Sequence, residues 1–118
     1  MASRRPALSK AFTRHNRFDY ITRVIRTFRH KGLKRFFTDP RYSGKRGINP
    51  DTEAQLVVIL DALDVIEKAE EMNIAGLLFH KLEGDRQDEY SVRVTANWRV
   101  TWKMDGEDVI GVNLEDYH

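Results

Sequence analysis

The sequence predicts an α+β domain in which two helices precede a mostly antiparallel sheet of three to four strands and lie on one face of it. Three observations carry this. Apolar residues from Leu56 to Ile66 recur at helical spacing, the apolar period changes from 3.6 to 2 at about Leu77, and Asp105-Gly106 joins two alternating runs as a hairpin turn does. Helical patterns followed by strand patterns are the order of a layered α+β fold.

In a chain of 118 residues there is one hydrophobic core, because two would each be too small to bury enough surface. Residues 1–21 read as a flexible basic extension, or as residues upstream of the working start. Arg4, Arg5, Lys10, Arg14 and Arg17 face Asp19 alone, and no periodic apolar pattern runs through them. An Arg- and Ser-rich, acid-poor start is shared with mitochondrial transit peptides, but no apolar stretch of secretory type is present. The domain proper is expected over 22–118.

Val24 to Phe28 is β-branched and aromatic and predicts a short strand. Between His30 and Phe37, Leu33, Phe36 and Phe37 share a helical face, with Lys31, Lys34 and Arg35 off it. Thr38-Asp39-Pro40 ends that helix, since proline disfavours helical geometry in the residue before it. The stretch from Arg41 to Gly47 reads as a loop. Asn49-Pro50 opens a second helix with a capping residue and a proline at the first helical position, and Asp51 and Glu53 suit its positive end. Leu56, Ile59, Leu60, Leu63 and Ile66 form its buried face, and it is expected to fade near Glu67 to Glu71.

Strands follow. Leu78, His80 and Leu82 alternate with their neighbours, and Glu83-Gly84-Asp85 turns the chain. Tyr90, Val92 and Val94 then oppose Ser91, Arg93 and Thr95. After Ala96-Asn97, Trp98, Val100 and Trp102 alternate with Arg99, Thr101 and Lys103, and Val109 to Leu114 supplies the last strand.

Composition removes several function classes. Without cysteine there are no disulfides, thiolate metal sites or cysteine nucleophiles, which suits a reducing cytoplasm. No apolar run approaches the roughly 18 residues of a membrane span. His15, His30, His80 and His118 stand apart, none in a pair at ligand spacing, and no phosphate loop or nucleophile elbow occurs, so neither metal nor cofactor is expected. The net charge of +2 hides a division: residues 1–50 carry fourteen Lys/Arg against two Asp, and residues 51–118 carry six against sixteen Asp/Glu. A basic half favours a polyanion through counterion release, and it equally describes a solvated surface.

The remaining chemical signal is Leu114-Glu115-Asp116-Tyr117-His118 together with His80 and Arg99. Metal-free RNA cleavage needs a base for the ribose 2′-OH, an acid for the leaving 5′-oxygen and a cation for the phosphate. Asp, His, Tyr and Arg can fill these roles. Chemistry alone leaves the other reading open for each: His80 as a half-buried sheet residue, Arg99 as a solvated charge, and Asp116-Tyr117-His118 as a frayed chain end.

Several blocks resemble the HigB-type toxins of the RelE/ParE superfamily. Phe28-Arg29-His30-Lys31-Gly32-Leu33 is similar to their opening F-x-H-K-G-L. Glu71-Met72-Asn73-Ile74-Ala75-Gly76 resembles D-M-N-L-P-G, and Leu78 to Arg86 resembles L-x-H-P-L-K-G-D. Tyr90 to Trp102 resembles W-S-I-x-V-x-x-N-W-R-I-T-F, and Glu115-Asp116-Tyr117-His118 matches the terminal E-D-Y-H. The likeness spans about residues 24–118.

It implies a RelE-like fold and a cytoplasmic, ribosome-dependent endoribonuclease that cuts messenger RNA, silenced by a cognate HigA-like antitoxin. His80, Arg99, Asp116, Tyr117 and His118 would line the active site, and Lys81, Arg86 and Arg93 would bind RNA. The family usually has lysine where this chain has Glu83. Lys81, two residues earlier and on the same face if the strand continues, is the expected substitute. Two further readings share the fold: a ParE-like toxin that binds gyrase without cutting, and an inactive homologue, for which Glu83 is the best sign.

Overall fold

In the computed structural model, residues 25–39 and 50–116 are described; the basic extension, the Arg41 to Gly47 loop, Asn49, Tyr117 and His118 lie outside them. Helix α1 spans Lys31–Thr38 and helix α2 spans Pro50–Leu63. Four strands follow, β1 (His80–Lys81), β2 (Glu89–Arg93), β3 (Trp98–Asp105) and β4 (Asp108–Asp116), paired antiparallel in the order β1-β2-β3-β4. This is the expected α+β architecture.

Helix α1 begins where its sequence provides a cap: the His30 Nδ1 accepts the Leu33 N–H at 3.0 Å, and the helix ends against Asp39, ahead of the proline. Leu33 is fully buried, and the Phe37 ring packs 5.8 Å from that of Phe28. Helix α2 starts at Pro50, the residue expected at its first position, and buries Leu56, Ile59, Leu60 and Leu63. Ile66 is buried in the turn beyond it. Burying each such side chain is favourable by roughly 1.5–3 kcal/mol. Where fading was expected, a short 3-10 helix (Ala69–Met72) forms, and the Glu71 carboxylate accepts the Glu67 and Lys68 N–H groups.

The sheet supplies the other half of the core with Val92, Val100, Trp102, Val109, Val112 and Leu114. Trp102 is fully buried, 5.9 Å from the Tyr90 ring. The strand predicted around Leu78 and Leu82 is reduced to the two residues of β1, because Leu78 adopts a left-handed backbone (φ 49°) that breaks the extended run.

The predicted first strand is realised as an edge segment. Ile25 bridges to Val109 and Phe28 to Val112, both parallel to β4, with Arg26 N–H donating to the Val109 carbonyl and Arg29 N–H to that of Val112, each at 2.7 Å. The Arg26 guanidinium binds Asp105 and, at 2.9 Å, Asp108, tying this segment to the β3–β4 turn.

Strand β4 is not regular. Thr101 pairs with Asn113 but Lys103 pairs with Ile110, so β4 uses three steps where β3 uses two. The extra residue is accommodated at Gly111, whose φ is +63° and whose N–H donates to the Thr27 hydroxyl at 2.7 Å. Gly111→Ala is expected to cost about 1–2 kcal/mol, through backbone conformation and not through crowding. A built Cβ would meet nothing closer than 3.7 Å. Urea unfolding of the two proteins measures it.

The His30 cap adds a pH dependence. Burial pushes the imidazole below its ordinary value, against a backbone hydrogen bond that raises it. The unfolded chain therefore takes up the proton first. The contribution is complete above about pH 6.5 and is lost as pH falls below that value toward the lowered folded one. His30→Ala should destabilise by about 1 kcal/mol at pH 8 and by less at pH 5, read from denaturation midpoints.

Candidate active site

The sheet has a second, polar face opposite the helices, and register decides which residues share it. His80 pairs with Ser91, Ser91 with Thr101 and Thr101 with Asn113. In the next row Arg93 pairs with Arg99 and Arg99 with Glu115. Directly opposed residues point to the same side of a sheet, so His80, Arg93, Arg99 and Glu115 lie on one face. Thr101 and Ser91 are buried on it, although their alternation pattern reads as solvent-facing.

The centre of this face is the Glu115 carboxylate. One oxygen accepts from Arg86 Nη1 at 3.0 Å and Arg99 Nη2 at 3.2 Å. The other accepts from Arg86 Nη2 at 2.5 Å, the Thr101 hydroxyl at 2.9 Å and Asn113 Nδ2 at 3.3 Å. Arg86 also grips Glu89, at 2.7 and 3.2 Å. Burial works against ionisation of Glu115, but the hydrogen bonds from Arg86 and Thr101, with the charge of Arg86 and the bond from Arg99, outweigh it and lower the carboxyl to about 2. The same bonds raise the Arg86 guanidinium, led by Glu89 and Glu115.

The site residues expected from sequence divide accordingly. His80 is exposed, and its Nδ1 lies 2.9 Å from the Leu78 carbonyl. Arg99 stands one strand from Arg93, whose Nε donates to the Thr95 carbonyl at 3.3 Å. Asp116 pairs with Trp98, one residue out of the Arg99 row, and so belongs to the other face at the strand's exposed end. Tyr117 and His118 lie outside the described residues.

Lys81 is not brought to His80. It pairs with Tyr90, its Nζ sits 5.2 Å over the Tyr90 ring, and it donates to the Gln87 carbonyl. The paired strand ends at Lys81, with one further ladder bond from the Leu82 N–H to the Glu89 carbonyl at 2.8 Å. Glu83 itself is exposed and precedes the 3-10 turn Gly84–Arg86. Arg86 is occupied by two carboxylates, which makes it a strut between the β1–β2 connection and β4. Sequence reasoning gave Glu115 no role of its own; its signal is an acidic residue at a predicted strand end, opening the terminal motif, and the register sets it directly opposite Arg99. Among the described residues no three potential ligands gather as a metal site, and no helix is long and apolar enough to cross a membrane.

A four-strand antiparallel meander, two helices on one face and an arginine- and histidine-bearing opposite face define a small α+β protein of the RelE-like kind. The sequence family described as the RelE-like toxin of the type II toxin–antitoxin system HigB matches residues 26–118, and the chain belongs to it. It is also similar to the Endoribonuclease HigB of Proteus vulgaris, at 35% identity over a 99-residue alignment that covers 80% of this chain and the whole of that protein. A type II system pairs its toxin with an antitoxin, so an antitoxin partner follows from the family.

Glu115→Ala would leave two guanidinium groups without their shared carboxylate. The expected cost is about 2–3 kcal/mol, below the roughly 3–5 of a fully buried pair because Arg86 is about a third exposed. The folded value is depressed, so the Glu115 contribution is present above pH 4.5 and lost as pH falls from 4.5 toward 2. Acid unfolding midpoints of parent and Glu115→Gln should converge in that window.

Proposed function

We propose that this chain is a toxin endoribonuclease that cuts messenger RNA on the ribosome without a metal ion. The observation that carries the reading is the polar sheet face, where His80, Arg93 and Arg99 stand together beside the strand that leads to Asp116-Tyr117-His118. Arg99, fixed by Glu115, offers a guanidinium to the scissile phosphate. His80 and the terminal His118 supply proton transfer: a base takes the 2′-OH proton, the 2′-oxygen attacks phosphorus, the P–O5′ bond breaks and an acid protonates the 5′-oxygen. Tyr117 would stack on a base or bond a phosphate. The products are a 2′,3′-cyclic phosphate and a 5′-hydroxyl.

The name of the Proteus relative favours cutting over gyrase binding. Arg93 is the second cation of the face. Arg86, which balances Glu89 and Glu115, contributes to RNA binding through position more than charge. Residues 1–21 form an extension outside the working domain, and the protein acts in the cytoplasm, where ribosomes and the antitoxin are.

Arg99→Lys keeps a cation beside Glu115 and loses the planar fork of donors. It should retain the parent's melting temperature while cleavage falls on the order of 10²–10³, as expected for a lost transition-state donor. The measurement is a ribosome-programmed messenger RNA with EDTA-treated protein, read for cut sites and cyclic phosphate ends. Undiminished cleavage by Arg99→Lys, or cleavage that vanishes on EDTA treatment of the protein alone, contradicts the proposal.

A further inference from the structure

We infer that Leu78 is a positioning residue: its backbone holds the His80 side chain as the Nδ1–H tautomer, which makes Nε2 the nitrogen that works on the substrate. The inference rests on the catalytic reading of His80 given above, and its geometry stands independently of it. The Leu78 carbonyl lies 2.9 Å from His80 Nδ1. A carbonyl oxygen only accepts, so Nδ1 carries the hydrogen and the neutral ring presents Nε2 as a lone pair. His80 is exposed on the polar face, which leaves Nε2 open to a ligand.

The carbonyl is aimed by an unusual backbone. Leu78 is left-handed, with φ 49°, and the other left-handed positions among the described residues, 76, 84, 106 and 111, are all glycine. A Cβ disfavours this conformation, and such a residue persists where its surroundings determine it from both sides. They do here. Before it, Leu77 is buried and its carbonyl accepts the Arg93 N–H at 2.7 Å. After it, the Phe79 ring stacks on Tyr90 at 6.0 Å and lies 6.3 Å from Trp102, and His80 pairs with Ser91. The chain must step from the Leu77 anchor to the Phe79 anchor in one residue, and the left-handed turn does so.

Packing does not explain a leucine at this place, since the residue is 49% exposed. Its effect is on the backbone. At positive φ a leucine has only the narrow left-handed well open to it, whereas glycine ranges over a broad region and lets the carbonyl swing.

The test is 15N NMR of the parent and of Leu78→Gly, recorded at a pH high enough that the His80 shifts no longer move, with cleavage kinetics alongside. In the parent, Nδ1 should show the shift of a protonated ring nitrogen and Nε2 that of an unprotonated one. Leu78→Gly should melt within a few degrees of the parent, because relief of the backbone offsets the added freedom of the unfolded chain. Its His80 should nonetheless populate both tautomers. Its kcat should fall at least about tenfold with KM little changed, a part of the 10²–10⁴ that positioned proton transfer contributes. A purely structural leucine would move the melting temperature and leave the tautomer alone. An Nε2–H tautomer in the parent overturns the inference, and so does an unaltered Nδ1–H tautomer in Leu78→Gly. His80→Gln cutting at the parent rate overturns the working role of Nε2 and the catalytic reading of His80 with it, a failure that the tautomer measurement tells apart because it needs no cleavage.

Discussion

The extra residue at Gly111 is the constraint on which the rest of the molecule depends. The β3–β4 turn sets Asp105 opposite Asp108 and Lys103 opposite Ile110. Continued without interruption, that register would place Arg99 opposite Leu114. A slip of one residue exchanges the two faces of a strand, so Leu114 would enter the polar face and Glu115 the core face. The bulge shifts pairing by one and puts Arg99 opposite Glu115. It also lets Val109 and Val112 both reach the core, which residues three apart on a regular strand cannot do. Packing against the helices and assembly of the polar face are thus two results of one local distortion.

Once register is set, the polar face has to solve an electrostatic problem. Arg93 and Arg99 are directly opposed, and like charges in that relation repel. Glu115 on the far side of Arg99 compensates, and Arg86 arrives from the β1–β2 connection to complete the carboxylate's partners. Five donors on one carboxylate satisfy it more fully than a single ion pair would, which is why it stays ionised although half enclosed. Arg99 is thereby held in one orientation before any substrate arrives. Preorganised donors of that kind need no rearrangement during a reaction.

Much of the fold was legible in the residues. The helical spacing of Leu56, Ile59, Leu60 and Leu63, the proline at the first helical position and the Asp105-Gly106 turn each have local physical causes, and the helix and hairpin appear there. The helix nonetheless ends at Leu63, short of the expected Glu67 to Glu71. Less legible were features that depend on partners distant in sequence. Ser91 and Thr101 read as solvent-facing polar residues because alternation reports a face, not what covers it. The pattern at Leu78, His80 and Leu82 promised a longer strand, and no local signal announced a left-handed leucine. Gly111 inside a run of strand formers was a readable sign of a bulge, since glycine weakens a regular strand. The membership of Glu115 in the site could be seen only through the shifted register. For His80 and Arg99, motif resemblance identified the residues and the sheet supplied their common face; for Lys81 it is the pairing with Tyr90 that sets it apart from them.

A site built where a sheet's last strand runs out must overcome fraying, because a strand end paired on one side is weakly held. Strand β4 meets this in two stages. Its first half is held on both sides, by β3 and by the parallel segment from Ile25 to Phe28, with Thr27 fastened to the bulge and Arg26 to Asp105 and Asp108. Among the described residues its second half pairs with β3, and there Glu115 adds side-chain bonds to β3 and to Arg86. Among the described residues, Asp116 alone continues the strand beyond that knot. The acidic residue that begins the terminal motif is therefore its anchor, and the chemistry proposed for the residues after it depends on a strand end that is fixed by charge where backbone pairing is one-sided.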